Sequence, residues 1–145
     1  MNVQAVTHPG IDSLRRFVAM MLTAFLLPAC ERKEDQGFSA TFARQAEAYR
    51  ELNSLLEKVI AEKSASGLEE KISRQAEKIG KLKEELLQSA PPQGEEMDRF
   101  LTSPLSAEFE ETVKENERLI RRIQAEGLGS ESLTQAFREI AKTPL

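Results

Sequence analysis

The 145-residue chain has one cysteine and one histidine. No disulfide can close within it, so whatever fold forms must stand on packing alone. A single imidazole and a single thiol, Cys30 and His8, leave no material for the usual Cys/His metal sites, nor for Cys/His or Ser/His/Asp catalysis. No glycine-rich phosphate loop and no nucleophile elbow occurs. Carboxylate pairs and Ser/Lys dyads remain formally open. The acidic residues, however, lie interleaved with Lys and Arg on helix faces, where solvated ion pairs are the default, so no enzyme, cofactor or metal is expected. The formal charge of −4 is not the balance of a nucleic-acid-binding domain. No stretch alternates polar and apolar residues as a half-buried strand would, and the expected class is all-α.

Long apolar runs are also scarce, and the one that exists is short. Phe17 to Ala29 carries no charge and follows the paired positives Arg15 and Arg16. As a helix it would span only about 20 Å, against a hydrocarbon core of roughly 30 Å. Positives first, a short apolar core and a small residue at the exit are the order of a secretory signal peptide rather than of a membrane span. The run ends Leu27-Pro28-Ala29-Cys30, which resembles the lipobox of bacterial lipoproteins, with Leu three residues before the Cys and a small residue just before it. Pro28 stands where Ala or Ser is commoner. The resemblance implies that residues 1–29 are removed and that Cys30 receives a diacylglycerol thioether, becoming the acylated first residue of the mature chain. It also implies a location in the cell envelope, held to a membrane by the lipid on Cys30. Glu31 after the Cys, in place of the Asp that enterobacterial sorting reads as an inner-membrane signal, points toward outer-membrane delivery. Removing the leader takes away His8, Arg15, Arg16 and Asp12, leaving the mature chain one unit more negative and without an imidazole.

After the anchor, residues 30–37 read as the lipidated Cys and a charged tether, ERKEDQG, ending in Gly37, and residues 38–145 as a single α-helical domain. From Phe38 to about Ser64, the residues Phe42, Ala46, Tyr49, Leu52, Leu56, Val59 and Ile60 recur at spacings of three and four, predicting a long amphipathic helix. Ser66 and Glu69 have the spacing of a capping box opening a second helix over about 67–89, with Leu68, Ile72, Ile79, Leu82 and Leu86 as its stripe. Pro91-Pro92-Gln93-Gly94 ends it. So short a joint between two long helices predicts an antiparallel hairpin. Glu95 to Leu101 is expected to form a short turn offering Phe100 and Leu101 to the core. Ser103-Pro104 then reads as a cap and first residue of a third helix over about 104–126, carrying Phe109, Val113, Ile120 and Ile123 and stopped by Gly127. A short fourth helix over about 131–142, capped by Ser132 and Gln135, brings in Leu133, Phe137 and Ile140. The sum is an irregular three- or four-helix bundle.

Three polar residues interrupt the stripes, Gln45, Gln75 and Asn116; Asn116 is central in its own, reading either as a buried register-setting residue or as a boundary side chain met by water. The tetrapeptide Arg44-Gln45-Ala46-Glu47 returns as Arg74-Gln75-Ala76-Glu77, an echo that chance explains more readily than duplication in so Glu-, Lys-, Ala- and Leu-rich a chain. Lys71, Arg74, Lys78 and Lys81 recur at three, four and three, lining one strip of the second helix, while Glu70, Glu77 and Glu84 line the next. This strip is the candidate partner-binding surface.

The function expected from address, size and class is that of a small helical accessory lipoprotein binding another envelope protein, in the manner of pilotins or of exclusion and immunity lipoproteins. A second reading is a periplasmic chaperone of the LTxxQ type. Leu133-Thr134-Gln135-Ala136-Phe137 resembles the start of that motif but has Phe where its Gln stands.

The anchor reading is directly testable. One acyl chain gives only marginal membrane affinity, about 10⁴ M⁻¹, whereas two or more hold stably. Cys30→Ala should release the protein from the membrane fraction. Mass spectrometry finding Cys30 unmodified and residues 1–29 still attached would refute the lipobox.

Overall fold

A computed structural model describes residues 35–142 of the chain. Among the described residues five helices follow one another: α1 (Asp35–Glu62), α2 (Glu69–Gln88), α3 (Glu95–Leu101), α4 (Pro104–Ala125) and α5 (Glu131–Lys142). No strand occurs among the described residues. The leader and Cys30 lie outside them.

Helix α1 is the shared element. It packs on α2 and on α4, and α2 in turn carries α5. Arg44 meets Glu85 and Glu51 meets Lys78, so α1 and α2 are antiparallel, as the short joint requires. Phe42 lies against Phe109 and Asn53 bonds Thr112 and Asn116, which makes α4 parallel to α1. Lys83 reaches Ile140, while Ser73 and Glu77 share a hollow with Ser132 and Gln135, which makes α5 parallel to α2. A parallel neighbour two helices on needs a connection that crosses the end of the hairpin. Residues 89–103, including α3, are that crossing. They bring Phe100 edge-on to Phe38 and Phe42, with ring centroids 5.3 and 4.8 Å away, a geometry that adds about 0.5–1.5 kcal/mol per pair beyond area burial.

All the stripe residues expected on α1 are buried, from Phe42 to Ile60, and Phe38 joins them. Because Phe38 packs on Phe42 and Phe100, the first turn is drawn into the helix. Thus α1 begins at Asp35 and Gly37 stands inside it rather than closing the tether. On α4 the buried set is Ser106, Phe109, Asn116, Leu119 and Ile123, with Val113 and Ile120 only half-buried. The stripe is rotated toward Leu119 because α4 faces one neighbour along most of its length. Ala76 and Ala136 are buried where α2 and α5 carry the rest of the core.

The helix ends follow local chemistry, though not always at the residues expected. Helix α1 stops in a Schellman arrangement. The amide of Ser64 donates to the Val59 carbonyl and that of Lys63 to Ile60, with Lys63 itself at φ 50°. The capping box at Ser66 does not form; Leu68 occupies the N-cap position without a side-chain bond, and the Ser66 amide donates to Ser64 Oγ. Ser103 caps α4 as its sequence predicts, accepting from the Ser106 amide while its hydroxyl donates to the Phe100 carbonyl. Helix α5 is capped by Ser130, which accepts from the Leu133 amide, and not by Ser132. Glu131 begins the helix, so Ser132 is already within its first turn.

Asn116 is buried, and its amide donates to Asn53 Oδ1 at 2.8 Å. Asn53 in turn donates to the Thr112 carbonyl at 2.9 Å. This bond pair is possible in one register of α4 on α1, since a slide of one turn would orphan both amides in the core. Gln45 is fully buried with neither amide atom hydrogen-bonded to the protein, whereas Gln75 is half-buried and donates to the Ala48 carbonyl and Glu51. The pairs Arg44–Glu85 and Glu51–Lys78 put Gln75 level with Ser54 and Leu55, as a hairpin folded at residue 65 requires, and its side chain reaches back one to two turns along α1 to these partners.

Removing one member of the Asn pair strands the other. Asn116→Ala should cost about 1–3 kcal/mol, and Asn53→Ala a similar amount. The double variant should cost less than the sum by at least about 0.5 kcal/mol. Strictly additive denaturation free energies would show that the pair does not set the register.

Candidate functional site

The four cations picked out in the sequence, Lys71, Arg74, Lys78 and Lys81, are all exposed along α2. Their helical spacing puts them beside the seam with α1. There the two helices leave an open groove of about 450 Å³, walled by Arg74, Glu77, Lys78, Lys81 and Glu85 from α2 and by Arg44 and Glu47 from α1, with the buried Leu82 at its floor. A second hollow of about 580 Å³ continues it toward Lys71, with the half-buried Leu55 and Gln75 beneath. The two copies of Arg-Gln-Ala-Glu converge here, since Arg44, Glu47, Arg74 and Glu77 all line the first groove.

Taken with α1, the strip is not simply positive. Arg74 pairs with Glu70 on its own helix, and Lys78 crosses the seam to Glu51 at 2.9 Å. Arg44 crosses to Glu85 at 2.7 Å. The hydrogen bond from Lys78 holds the Glu51 carboxyl below its ordinary range against the opposing effect of desolvation, with lesser help from the Gln75 bond and the Lys78 charge. Among the described residues Lys71 and Lys81 make no ion pair, and Glu77 between them makes none. The face thus presents two available cations about 15 Å apart along α2, taking roughly 1.5 Å per residue. The pattern on α2 alone could not reveal the carboxylates that α1 brings across the seam.

Lys83 is the polar residue that the charge strips miss. It stands four residues after Ile79 and seven after Ala76, squarely on the apolar stripe, and that spacing was the available signal. It is buried, and its Nζ donates to the Ile140 carbonyl at 2.7 Å, fastening the last turn of α5 to α2. Burial lowers its pKa to about 8. Tyr49 is buried too, and desolvation pushes its phenol well above the usual range. In the segment resembling the chaperone motif, Leu133, Ala136 and Phe137 are core residues, while Thr134 and Gln135 face outward. Among the described residues no group of three or more His, Cys, Asp or Glu side chains is placed to hold a metal ion, and no helix is long and apolar enough to cross a membrane.

The low pKa of Lys83 has a signed consequence. Between pH 8 and its unfolded value near 10.4, the unfolded chain carries a proton there that the folded chain has lost, so stability rises with pH across that window. The rise attributable to this group is at most roughly 3 kcal/mol. In Lys83→Met it should vanish. Equal slopes of stability against pH in the two proteins would remove Lys83 as its source. Comparison of the chain with protein-family models, with curated proteins and with solved structures finds no match.

Proposed function

We propose that this protein is a lipid-anchored accessory module of the cell envelope, tethered through Cys30, whose α1/α2 groove docks an acidic segment of another envelope protein. The observation that carries this reading is the groove itself: Arg74, Lys78 and Lys81 set among Glu77 and Glu85 on one wall, Lys71 and Lys81 outside any ion pair of the described residues, and an apolar floor at Leu82 and Leu55. A segment with two carboxylates spaced to meet Lys71 and Lys81, and a small apolar side chain between them, has the matching chemistry. The pairs Lys78–Glu51 and Arg44–Glu85 put carboxylates on both walls, which penalise a partner of uniform negative charge. The work is binding rather than catalysis.

A holdase for unfolded clients would favour a different surface, one with apolar area open to water. Among the described residues Leu87 is the one large hydrophobic side chain that is well exposed. The residues resembling the LTxxQ start, Leu133 and Phe137, lie in the core. These features favour docking over client cradling.

The charge reversals Lys71→Glu and Lys81→Glu together should weaken capture of the partner in crosslinking pull-downs from membranes. The loss should come mainly through the on-rate and diminish as salt rises, since exposed charges are screened beyond about 8 Å at physiological ionic strength. Folding should change by no more than about 0.5 kcal/mol. Undiminished recovery of the same partners would return the strip to an ordinary solvated helix face.

A further inference from the structure

The fold fixes which end of the domain an anchor at Cys30 can hold, and that end has a surface of its own. Helix α1 starts at Asp35, five residues after Cys30, a stretch that spans at most about 17 Å at roughly 3.4 Å per residue. Because α1 and α2 are antiparallel, the start of α1 shares its end of the bundle with the last turn of α2 and with α3, as the contact of Phe38 with Phe100 and the pair Arg44–Glu85 show. Leu87 stands in that last turn and is 45% exposed. Phe100 and Leu101 of α3, at the same end, are half-buried.

We infer that the α3 end of the bundle rests on the bilayer surface, with Leu87 toward the lipid, and that the cation strip runs away from the membrane. The inference builds on the anchor reading of Cys30. Lys81 lies about 9 Å and Lys71 about 24 Å farther along α2 than Leu87, at roughly 1.5 Å per residue. Most of the strip is therefore held out of reach of lipid head groups, and its partner is a protein segment.

Electrostatics sets the kind of lipid the contact tolerates. The exposed charges near this end are Glu84, Glu95, Glu96 and Asp98, with Arg99 paired to Glu95, Arg44 to Glu85 and, on the last turn of α5, Lys142 to Glu139. Such a surface is repelled by anionic head groups and accepted by zwitterionic ones. Leu87 supplies the apolar contact, shallow and weak alone, made effective by the short tether that keeps it near the interface.

The chain contains no tryptophan, so a single introduced indole reports its own position. Full-length lipidated protein carrying Leu87→Trp, or Lys71→Trp, is reconstituted into phosphatidylcholine vesicles with brominated acyl chains. Sedimentation with the vesicles is measured in parallel. The expected result is a blue-shifted, quenched emission from Leu87→Trp and an unshifted, unquenched one from Lys71→Trp. Quenching of the Leu87→Trp probe should fall when phosphatidylglycerol replaces part of the phosphatidylcholine. Equal or greater quenching of Lys71→Trp would mean that the domain lies on its strip and would overturn the orientation. No quenching of either probe in protein that still sediments would also overturn it, while leaving the anchor intact. Protein that does not sediment with vesicles would overturn the anchor itself, and the orientation with it. Quenching that rises with phosphatidylglycerol would overturn the assignment to zwitterionic lipid.

Discussion

The simultaneous packing of α1 against α2 and α4 is the constraint on which the rest of the structure depends. A helix with one neighbour needs a narrow apolar stripe; α1 has two, so its buried surface widens to take in Thr41, Gln45, Ala48 and Asn53 beside the large apolar residues. Small or polar side chains at these positions let neighbouring backbones approach closely. The Ala48 carbonyl is near enough to α2 to accept from Gln75, and Asn53 near enough to α4 to bond the Thr112 carbonyl. With no disulfide available, these contacts and the apolar core they border hold the chain together.

Charge is distributed according to how much water it keeps. The outer faces carry ion pairs one turn apart, such as Lys114 with Glu110 and Arg118 with Glu115, each worth little because solvent screens them. The interior uses few polar groups, and those few decide geometry. The Asn53–Asn116 bond selects one register of α4, and Lys83 ties α5 to α2 through a backbone carbonyl. A buried group is expensive to leave unpaired, so a misplaced helix costs more than a lost contact. Gln45, fully buried on α1, has neither amide atom bonded within the protein.

The same arrangement supports the functional proposal. Antiparallel pairing of α1 and α2 creates the groove, and it also places the groove's long axis leading away from the end where the chain joins Cys30. On the proposed reading, the lipid-facing end and the docking wall are separate surfaces of the bundle, so that membrane attachment would leave the docking wall open to a protein partner.

Periodicity alone determined the helices and most of their inward faces, because a spacing of three and four residues places side chains on one side of a helix whatever surrounds it. The hairpin followed from the shortness of its joint, and the Ser103-Pro104 start of α4 from local hydrogen-bond chemistry. The lipobox resemblance is likewise local and legible in residues 27–30. What tertiary structure decided was everything that depends on a second element. Ser66 and Ser132 have the right spacing for caps, yet the turns formed by their neighbours put Leu68 and Ser130 at those positions. Asn116 is a register residue because Asn53 faces it, and Lys83 is buried because α5 covers it. The apparent positive strip becomes a groove of mixed charge because α1 lays Glu47 and Glu51 alongside. Spacing along one helix specifies which residues share a face; it carries no information about which residues of another helix will stand opposite, and that opposition decides both burial and charge.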